Sequence, residues 1–271
     1  MAGTRLDVEM VARNLVLSRE KAKALIMAGE VTVNGKKVDK AGYEIKNNDV
    51  ITILSNPIPF VSRGGLKLDK AIKVFNINLN GKKCIDVGAS TGGFTDCMLQ
   101  NNADHVHAID VGYGQLDWKL RNSTSVTVME RTNARYMVPE WYPWLFDFAS
   151  IDVSFISLKL ILPPLLSCLD LGGEVVALIK PQFEAARSEI GKKGVVKNED
   201  VHIRVCVSCM QFAASIGFEV CGLSFSPIKG PEGNIEFLMY LKKPCNPEKN
   251  ISADFDLLAK NVVSAAHANT F

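Results

Sequence analysis

Residues 83–100 read KCIDVGASTGGFTDCMLQ, and their reading decides the fold. The apolar run from Lys83 to Gly88 predicts a strand, the glycines at 88, 92 and 93 a turn, and the segment from Phe94 a helix. A strand that passes through a glycine turn into a helix lets backbone approach a nucleotide or nucleoside closely. Asp110 closes the next expected strand, HVHAID at 105–110, 22 residues past Gly88, where a carboxylate typically holds ribose hydroxyls. The dinucleotide pattern G-x-G-x-x-G is not met, because Ser90 stands where the second glycine belongs, and no lysine follows Gly93 to make a phosphate-cradling loop. With a mixed hairpin at the end of the chain, these features favour S-adenosylmethionine over a nicotinamide cofactor. A turn that serves only the fold is the plain alternative.

Working outward, strands and helices alternate from Arg63 onward. A helix is expected over Leu66–Phe75, strands at 105–110, 126–131, 146–153 and 173–180, a helix broken near Pro163-Pro164, and another over Glu199–Ile216. Near-continuous apolar strands suit a parallel sheet covered on both faces, an α/β fold. FEVCGLSFSP (218–227) and IEFLMYLKK (235–243) are joined by a loop without a helix, so the second should run antiparallel. Residues 252–267 look like a terminal amphipathic helix.

In an open parallel sheet, ligands sit beyond the carboxyl ends of the strands. Asp152 and Lys180 occupy such ends, Glu236 opens the antiparallel strand on the same edge, and Lys67 lies in the first turn of a helix that begins there. Two lysines and two carboxylates around one pocket suit methylation of a sugar hydroxyl, an oxygen too weakly acidic to ionise unaided. Lys180 is the candidate base, Lys67 steadies the oxygen, and Asp152 and Glu236 position the lysines. A lone lysine or aspartate at a strand end is more often a solvated rim residue, and a lone Glu236 reads as the partner of a surface lysine; the functional reading rests on their joint occurrence.

Residues 4–54 form a separate pattern: a helix over Leu6–Asn14, a helix over Arg19–Met27 capped by Ser18 and closed by Gly29, and a hairpin VTVNGKKV with Asn34-Gly35 at its turn. NNDVITIL supplies a further strand. The expected division is a first domain over 1–56, a linker over 57–62 around Pro57 and Pro59, and a second domain over 63–271. The chain has 31 basic against 29 acidic side chains, so bulk charge neither calls for nucleic acid nor excludes it. Seven cysteines, odd in number and mostly within apolar stretches, suit a reducing interior, and Cys206 and Cys209 read as one face of a helix with no second pair at metal spacing. No metal is therefore expected. The amino end lacks the apolar core of a secretory signal and no stretch reaches the roughly 20 apolar residues of a bilayer span, so the expectation is a cytoplasmic protein with no membrane partner.

The segments TRLD, SREKAKALIMAGEVTVNG, VSRGGLKL, DVGASTGGFTDC, DVGYGQL, DVSFISL, IKPQFE and GPEGNIEFL follow one another in the order of the TlyA, or hemolysin A, family, and the sequence resembles it over almost its whole length. The resemblance implies a small α+β S-four-type (alpha-L) RNA-binding domain followed by an FtsJ-like, Rossmann-like ribosomal RNA 2′-O-methyltransferase domain using S-adenosylmethionine. It places the family's Lys-Asp-Lys-Glu tetrad on Lys67, Asp152, Lys180 and Glu236. Its cofactor turn falls on Asp86, Gly88, Ala89, Ser90, Gly92, Gly93 and Phe94, with Asp110 and Val111 following. Ribose of cytidines in large-subunit and, for some members, small-subunit ribosomal RNA is the implied substrate, with ribosomal RNA or ribosomal subunits as partner.

Arg131 and Asn133 in RTNARY are candidates for the adenine side, and a plain loop is the alternative. RNA-binding candidates are Arg5, Arg13, Arg19, Lys21 and Lys23, where nine basic residues meet seven acidic over 1–56, and only clustering could make a phosphate-binding face. Arg63 could hold a target phosphate or form an interdomain ion pair. The rival readings are an RNA-binding protein whose second domain is only a scaffold, and a cytolysin, which would need an apolar span or an amphipathic barrel pattern.

Overall fold

The computed structural model describes residues 3–16, 18–27, 29–54, 58–245 and 254–269, and divides into two compact units, Met1–Ile58 and Pro59–Phe271. In the first, β1 (Thr4–Arg5), α1 (Leu6–Ala12), α2 (Arg19–Met27), β2 (Val31–Val33), β3 (Lys36–Lys37), β4 (Glu44–Ile45) and β5 (Ile51–Ile53) follow in order. Leu6 and Met10 on α1, and Ala22 and Ile26 on α2, are four apart and therefore share a face; they pack with Val31, Val33 and Ile45 into one small core. The Ser18 Oγ accepts the Lys21 backbone N–H at 3.2 Å, capping α2 as expected. Val33 pairs with Lys36, which leaves Asn34 and Gly35 as a two-residue turn with φ of +51° and +78°, the primed geometry that matches strand twist. β2 is the middle strand of a sheet ordered β3-β2-β5, while β1 and β4 pair separately. This last ladder is only two residues long on each side, too short to show alternation in the sequence.

The second unit contains α3 (Gly65–Phe75), β6 (Lys83–Val87), α4 (Gly93–Gln100), β7 (His105–Ile109), α5 (Trp118–Arg121), β8 (Val126–Met129), β9 (Phe146–Ile151), α6 (Leu162–Cys168), β10 (Leu169–Ile179), α7 (Pro181–Glu184), α8 (Glu199–Ser215), β11 (Glu219–Phe225), β12 (Phe237–Lys242) and α9 (Phe255–Ala268). Its seven strands form one sheet in the order β11-β12-β10-β9-β6-β7-β8. β12 is antiparallel to both β10 and β11, and the remaining pairs are parallel, as the helix-free closing hairpin requires. Strand residues alternate between two cores. Phe148 and Val176 face α3 and α4 with Leu68, Phe94 and Met98, while Ala149 and Val175 face α6, α8 and α9 with Leu165, Met210 and Val263. Cys206 and Cys209 are buried on α8 as small apolar side chains.

Several expectations need correction. Pro163 and Pro164 do not break a helix; they lie in the first turn of α6, where no carbonyl awaits their missing N–H. The strands end at Val87, Ile109, Met129, Ile151 and Ile179, each one or two residues earlier than their apolar pattern suggests, and β10 begins early, at Leu169. The residues beyond those ends are the ones with candidate chemistry. α1 stops at Ala12 rather than Asn14, which has φ of +56°. α5 was not expected at all. Asp254 caps α9 through the Leu257 N–H, and positions 252–253 of the expected terminal helix lie outside the described residues. Among the described residues no helix is long and apolar enough to cross a membrane.

The expected linker also changes. Position 57 lies outside the described residues, but Phe60 is 6% exposed within the second unit and the Val61 N–H donates to Asp96 Oδ2 at 2.8 Å. Two apolar residues that follow a pair of closely spaced prolines are scarcely distinguishable from a spacer in the sequence. Phe60→Ala should lower the unfolding free energy of the second unit by about 3 kcal/mol in chemical denaturation. A change within about 0.5 kcal/mol, the size for an exposed spacer, would contradict this packing.

Candidate active site

Four elements of the second unit deliver the charged residues. Lys67 is in the first turn of α3, Asp152 follows β9, Lys180 follows β10, and Glu236 precedes β12. Because β12 runs antiparallel, its start lies at the same sheet edge as the ends of β9 and β10. The Lys180 Nζ is 2.6 Å from Asp152 Oδ1, and the Lys67 Nζ is 3.6 Å from Asp152 Oδ2 and 2.7 Å from Glu236 Oε2. Charges therefore alternate along the row Lys180, Asp152, Lys67, Glu236. Lys67, Lys180 and Glu236 are buried, with exposures of 7%, 9% and 1%. An ion removed from water without a partner costs several kcal/mol, so each member of the row makes its neighbours tolerable. Lys180 also donates to Ser154 Oγ at 3.0 Å, a contact for which the sequence carries no signal.

Three cavities meet at this row. One of about 300 Å³ is lined by Arg63, Lys67, Asp152 and Lys180 together with Gly88, Ala89, Ser90, Gly93 and Phe94 of the glycine turn. A second, of about 410 Å³, runs past Asp110, Val111 and Asn133 to the apolar side chains of Ile156 and Ile161. A third, of about 450 Å³, lies between Phe155, Phe183, Lys180 and Glu236. Ser154 borders all three.

The turn is built by close approach. Gly88 has φ of +89°, and a Cβ there would lie 2.6 Å from the Asp152 carbonyl oxygen. A Cβ on Gly93 would lie 2.3 Å from Ser62 Oγ and 2.8 Å from the Gly65 nitrogen, so the turn abuts the start of the helix that carries Lys67. Ser90, the residue in place of the second dinucleotide glycine, adopts φ of +49° and donates its N–H to Asp110 Oδ2 at 2.8 Å. The other Asp110 oxygen accepts the Gly112 N–H at 2.7 Å. Asp110 therefore ties the turn to the following loop as well as facing the second cavity.

Three cofactor candidates do not line these cavities. Asp86 is fully buried, and its oxygens accept from Thr95 Oγ1 at 2.6 Å and Ser150 Oγ at 3.0 Å. Gly92, with φ of +94°, packs against Leu120 and Leu116. The Arg131 guanidinium lies 4.3 Å from the Tyr113 ring centre on the surface. Conversely, Thr91, Gln115, Thr132, Ser154, Phe155 and Pro231 line cavities without having been singled out. Phe155 is 91% exposed, has φ of +64°, and stands 5.1 Å from Phe183 ring to ring. A bulky residue held in the left-handed region costs of order 1–3 kcal/mol and persists where its surroundings enforce it. Beside a strand end, an aromatic reads as core, which hid this position.

Among the RNA-binding candidates, Arg63 is exposed at the first cavity. In the first unit, Arg13 is consumed by the fold: its guanidinium pairs with Glu9 at 2.9 Å and donates to the carbonyls of Asp49 and Asn47. Arg5 and Arg19 are half-exposed, Lys23 is exposed and Lys21 is partly so.

Burial raises the Asp86 carboxyl from the usual 3.8 to about 6, against the lowering effect of the two hydroxyl donors. The folded state then binds this proton more tightly than the unfolded chain does. Its contribution is fully present below about pH 4 and is lost as pH rises through about 6. Asp86→Asn should flatten the pH dependence of unfolding free energy over that window, measured by denaturation at several pH values. An unchanged slope would contradict the assignment.

The described geometry suits a nucleoside cofactor: an apolar slot beside a carboxylate, joined to a glycine turn that no side chain obstructs. Two family models match the chain, the FtsJ-like methyltransferase over residues 60–243 and the S4 domain over 4–51. YqxC of Bacillus subtilis is 53% identical over 241 residues, 89% of this chain and 86% of that protein. The 16S/23S rRNA (cytidine-2′-O)-methyltransferase TlyA of Mycobacterium tuberculosis is 39% identical over 264 residues, 97% and 96% of the two chains. A solved structure of a hemolysin-named protein from Streptococcus thermophilus is 48% identical, with a TM-score of 0.78 over 98% of this chain and 96% of that one. S-adenosylmethionine is the cofactor this domain implies. The chain belongs to the TlyA family, an S4 domain followed by an FtsJ-like methyltransferase domain.

Proposed function

We propose that this protein methylates the ribose 2′-hydroxyl of a cytidine in ribosomal RNA, with Lys180 as the base. The single observation that carries the reading is the buried row of alternating charges at the junction of three cavities. The substrate class is supported by the relative named as a cytidine-2′-O-methyltransferase and by the S4 domain at the amino end.

In this assignment the first two cavities hold the cofactor, with Gly88, Ser90, Asp110, Val111 and Asn133 against its nucleoside and the Gly93–Phe94 end of the turn against its amino-acid part. When bound, S-adenosylmethionine supplies an electrophilic methyl group. The third cavity accepts the target nucleotide, whose base is splayed out and stacks on Phe155. Lys180 in its neutral form would take the ribose hydroxyl proton as that oxygen displaces S-adenosylhomocysteine from the methyl carbon, the carbon–sulfur bond breaking as the carbon–oxygen bond forms. Asp152 and Ser154 aim that amine, and Lys67, anchored by Glu236, faces the negative charge that develops on the oxygen.

Lys180→Arg keeps a positive charge near Asp152 but cannot yield a neutral base, so transfer of labelled methyl to ribosomal RNA should fall by at least about 100-fold. Near-normal transfer by the purified variant would overturn the role of Lys180. Phe155→Ala should weaken productive RNA engagement by about 1–3 kcal/mol, the size of one base–aromatic stack, while the affinity for S-adenosylmethionine holds. An unchanged KM and kcat for RNA would remove Phe155 from the substrate site.

A further inference from the structure

The sequence segment TRLD begins the first unit, and its aspartate has a role that the reaction does not explain. Asp7 is fully buried on α1, yet its carboxylate touches two half-exposed guanidinium groups. Oδ1 accepts from Arg5 Nε at 2.9 Å, and Oδ2 accepts from Arg5 Nη2 at 3.2 Å and from Arg19 Nη2 at 3.0 Å. The arginines come from different elements, Arg5 from β1 and Arg19 from the start of α2. Gly42 closes over Arg5, where a Cβ would lie 3.1 Å from Nη1. The Arg5 hydrogen bond is the main cause that holds the Asp7 carboxyl down at about 2, so it stays ionised in any ordinary buffer.

This arrangement has a consequence for a polyanion. Two cations that share one carboxylate oxygen are brought side by side at a position where mutual repulsion would otherwise separate them. A guanidinium has five N–H donors in a fixed plane, and the contacts to Asp7 use two from Arg5 and one from Arg19. Among the described residues the other donors make no hydrogen bond, and both groups stay half-exposed. Fixing two long side chains before binding removes an ordering cost otherwise met on binding. Arg13 marks the contrast, since its donors are spread over one carboxylate and three carbonyls of its own unit.

We infer that Asp7 is a positioning residue for RNA recognition: it holds Arg5 and Arg19 as a preformed clamp for backbone phosphate. This deepens the RNA-methyltransferase reading and rests on it for the identity of the polyanion. The inference makes a prediction opposite in sign to bulk electrostatics. Asp7→Asn raises the net charge of an RNA-binding unit by one, which on charge alone should tighten binding.

The test measures binding of the full chain to deproteinised ribosomal RNA across a salt series, with S-adenosylmethionine affinity and thermal unfolding followed in parallel. Asp7→Asn should weaken RNA binding by at least about five-fold and make its salt slope shallower, as expected when a phosphate contact is lost. Binding as tight as or tighter than that of the parent chain would overturn the inference. In case Asp7→Asn loosens the fold, the double variant Arg5→Lys with Arg19→Lys keeps both charges and the attraction to Asp7 but loses the planar fork. It should bind RNA more weakly with its melting temperature held, and parental binding would overturn the inference as well. Ribose methylation of the same RNA by the parent chain is scored separately; its absence would sink the proposed reaction and leave the clamp to be judged on binding alone.

Discussion

The Asp152 carboxylate is the contact on which the second unit's row of charges depends. It gives one oxygen to each of two lysines, Oδ1 to Lys180 and Oδ2 to Lys67, and so makes a pair of buried like charges tolerable. Its backbone is equally constrained. The Asp152 N–H donates to the Val87 carbonyl, and the Asp152 carbonyl lies where a side chain on Gly88 would have to go. The same residue therefore ties the glycine turn to Lys180. Loss of its charge would leave Lys180 with a neutral hydroxyl, Ser154, as its remaining close polar partner among those described.

Topology supplies the rest of the geometry. A purely parallel sheet would put the start of its last strand at the far edge, and Glu236 could not reach Lys67. The reversal of β12 brings Glu236 to the chemical edge, and Gly230 keeps the preceding loop close, since a Cβ there would meet Glu236 Oε1 at 2.7 Å. Lys67 arrives by a different route, because α3 starts against Gly93 of the turn. The turn that suits the cofactor also sets the height of the helix carrying one of the two lysines. The crowding at Gly93 thus couples the glycine turn to the row of charges.

Much of this was legible in the chain. The strand, glycine turn and helix at 83–100 follow from apolar patterning and glycine placement, and the reversal of β12 follows from the absence of a helix between it and β11. The convergence of the four charged residues was legible because strand ends in such a sheet meet at one edge, so positions 152, 180 and 236 could be placed without side-chain detail. Ser154 and Phe155 were not legible, since a serine and a phenylalanine after a strand carry no pattern, and neither the left-handed backbone at Phe155 nor the exposure of its ring follows from residue type. Asp86 and Gly92 looked like ligand contacts because they share a motif with true cavity residues, yet one is buried against hydroxyls and the other against leucines. In the first unit, net charge concealed how differently the arginines are used: Arg13 binds its own backbone, while Arg5 and Arg19 meet on one carboxylate.

The most direct test is a structure of the protein bound to S-adenosylhomocysteine and an RNA carrying the target ribose. The account predicts the Lys180 Nζ within hydrogen-bond reach of the ribose O2′, about 2.6–3.2 Å, with Asp152 still between the two lysines. A complex in which that amine points away from the ribose, with another side chain or only solvent at O2′, would contradict it.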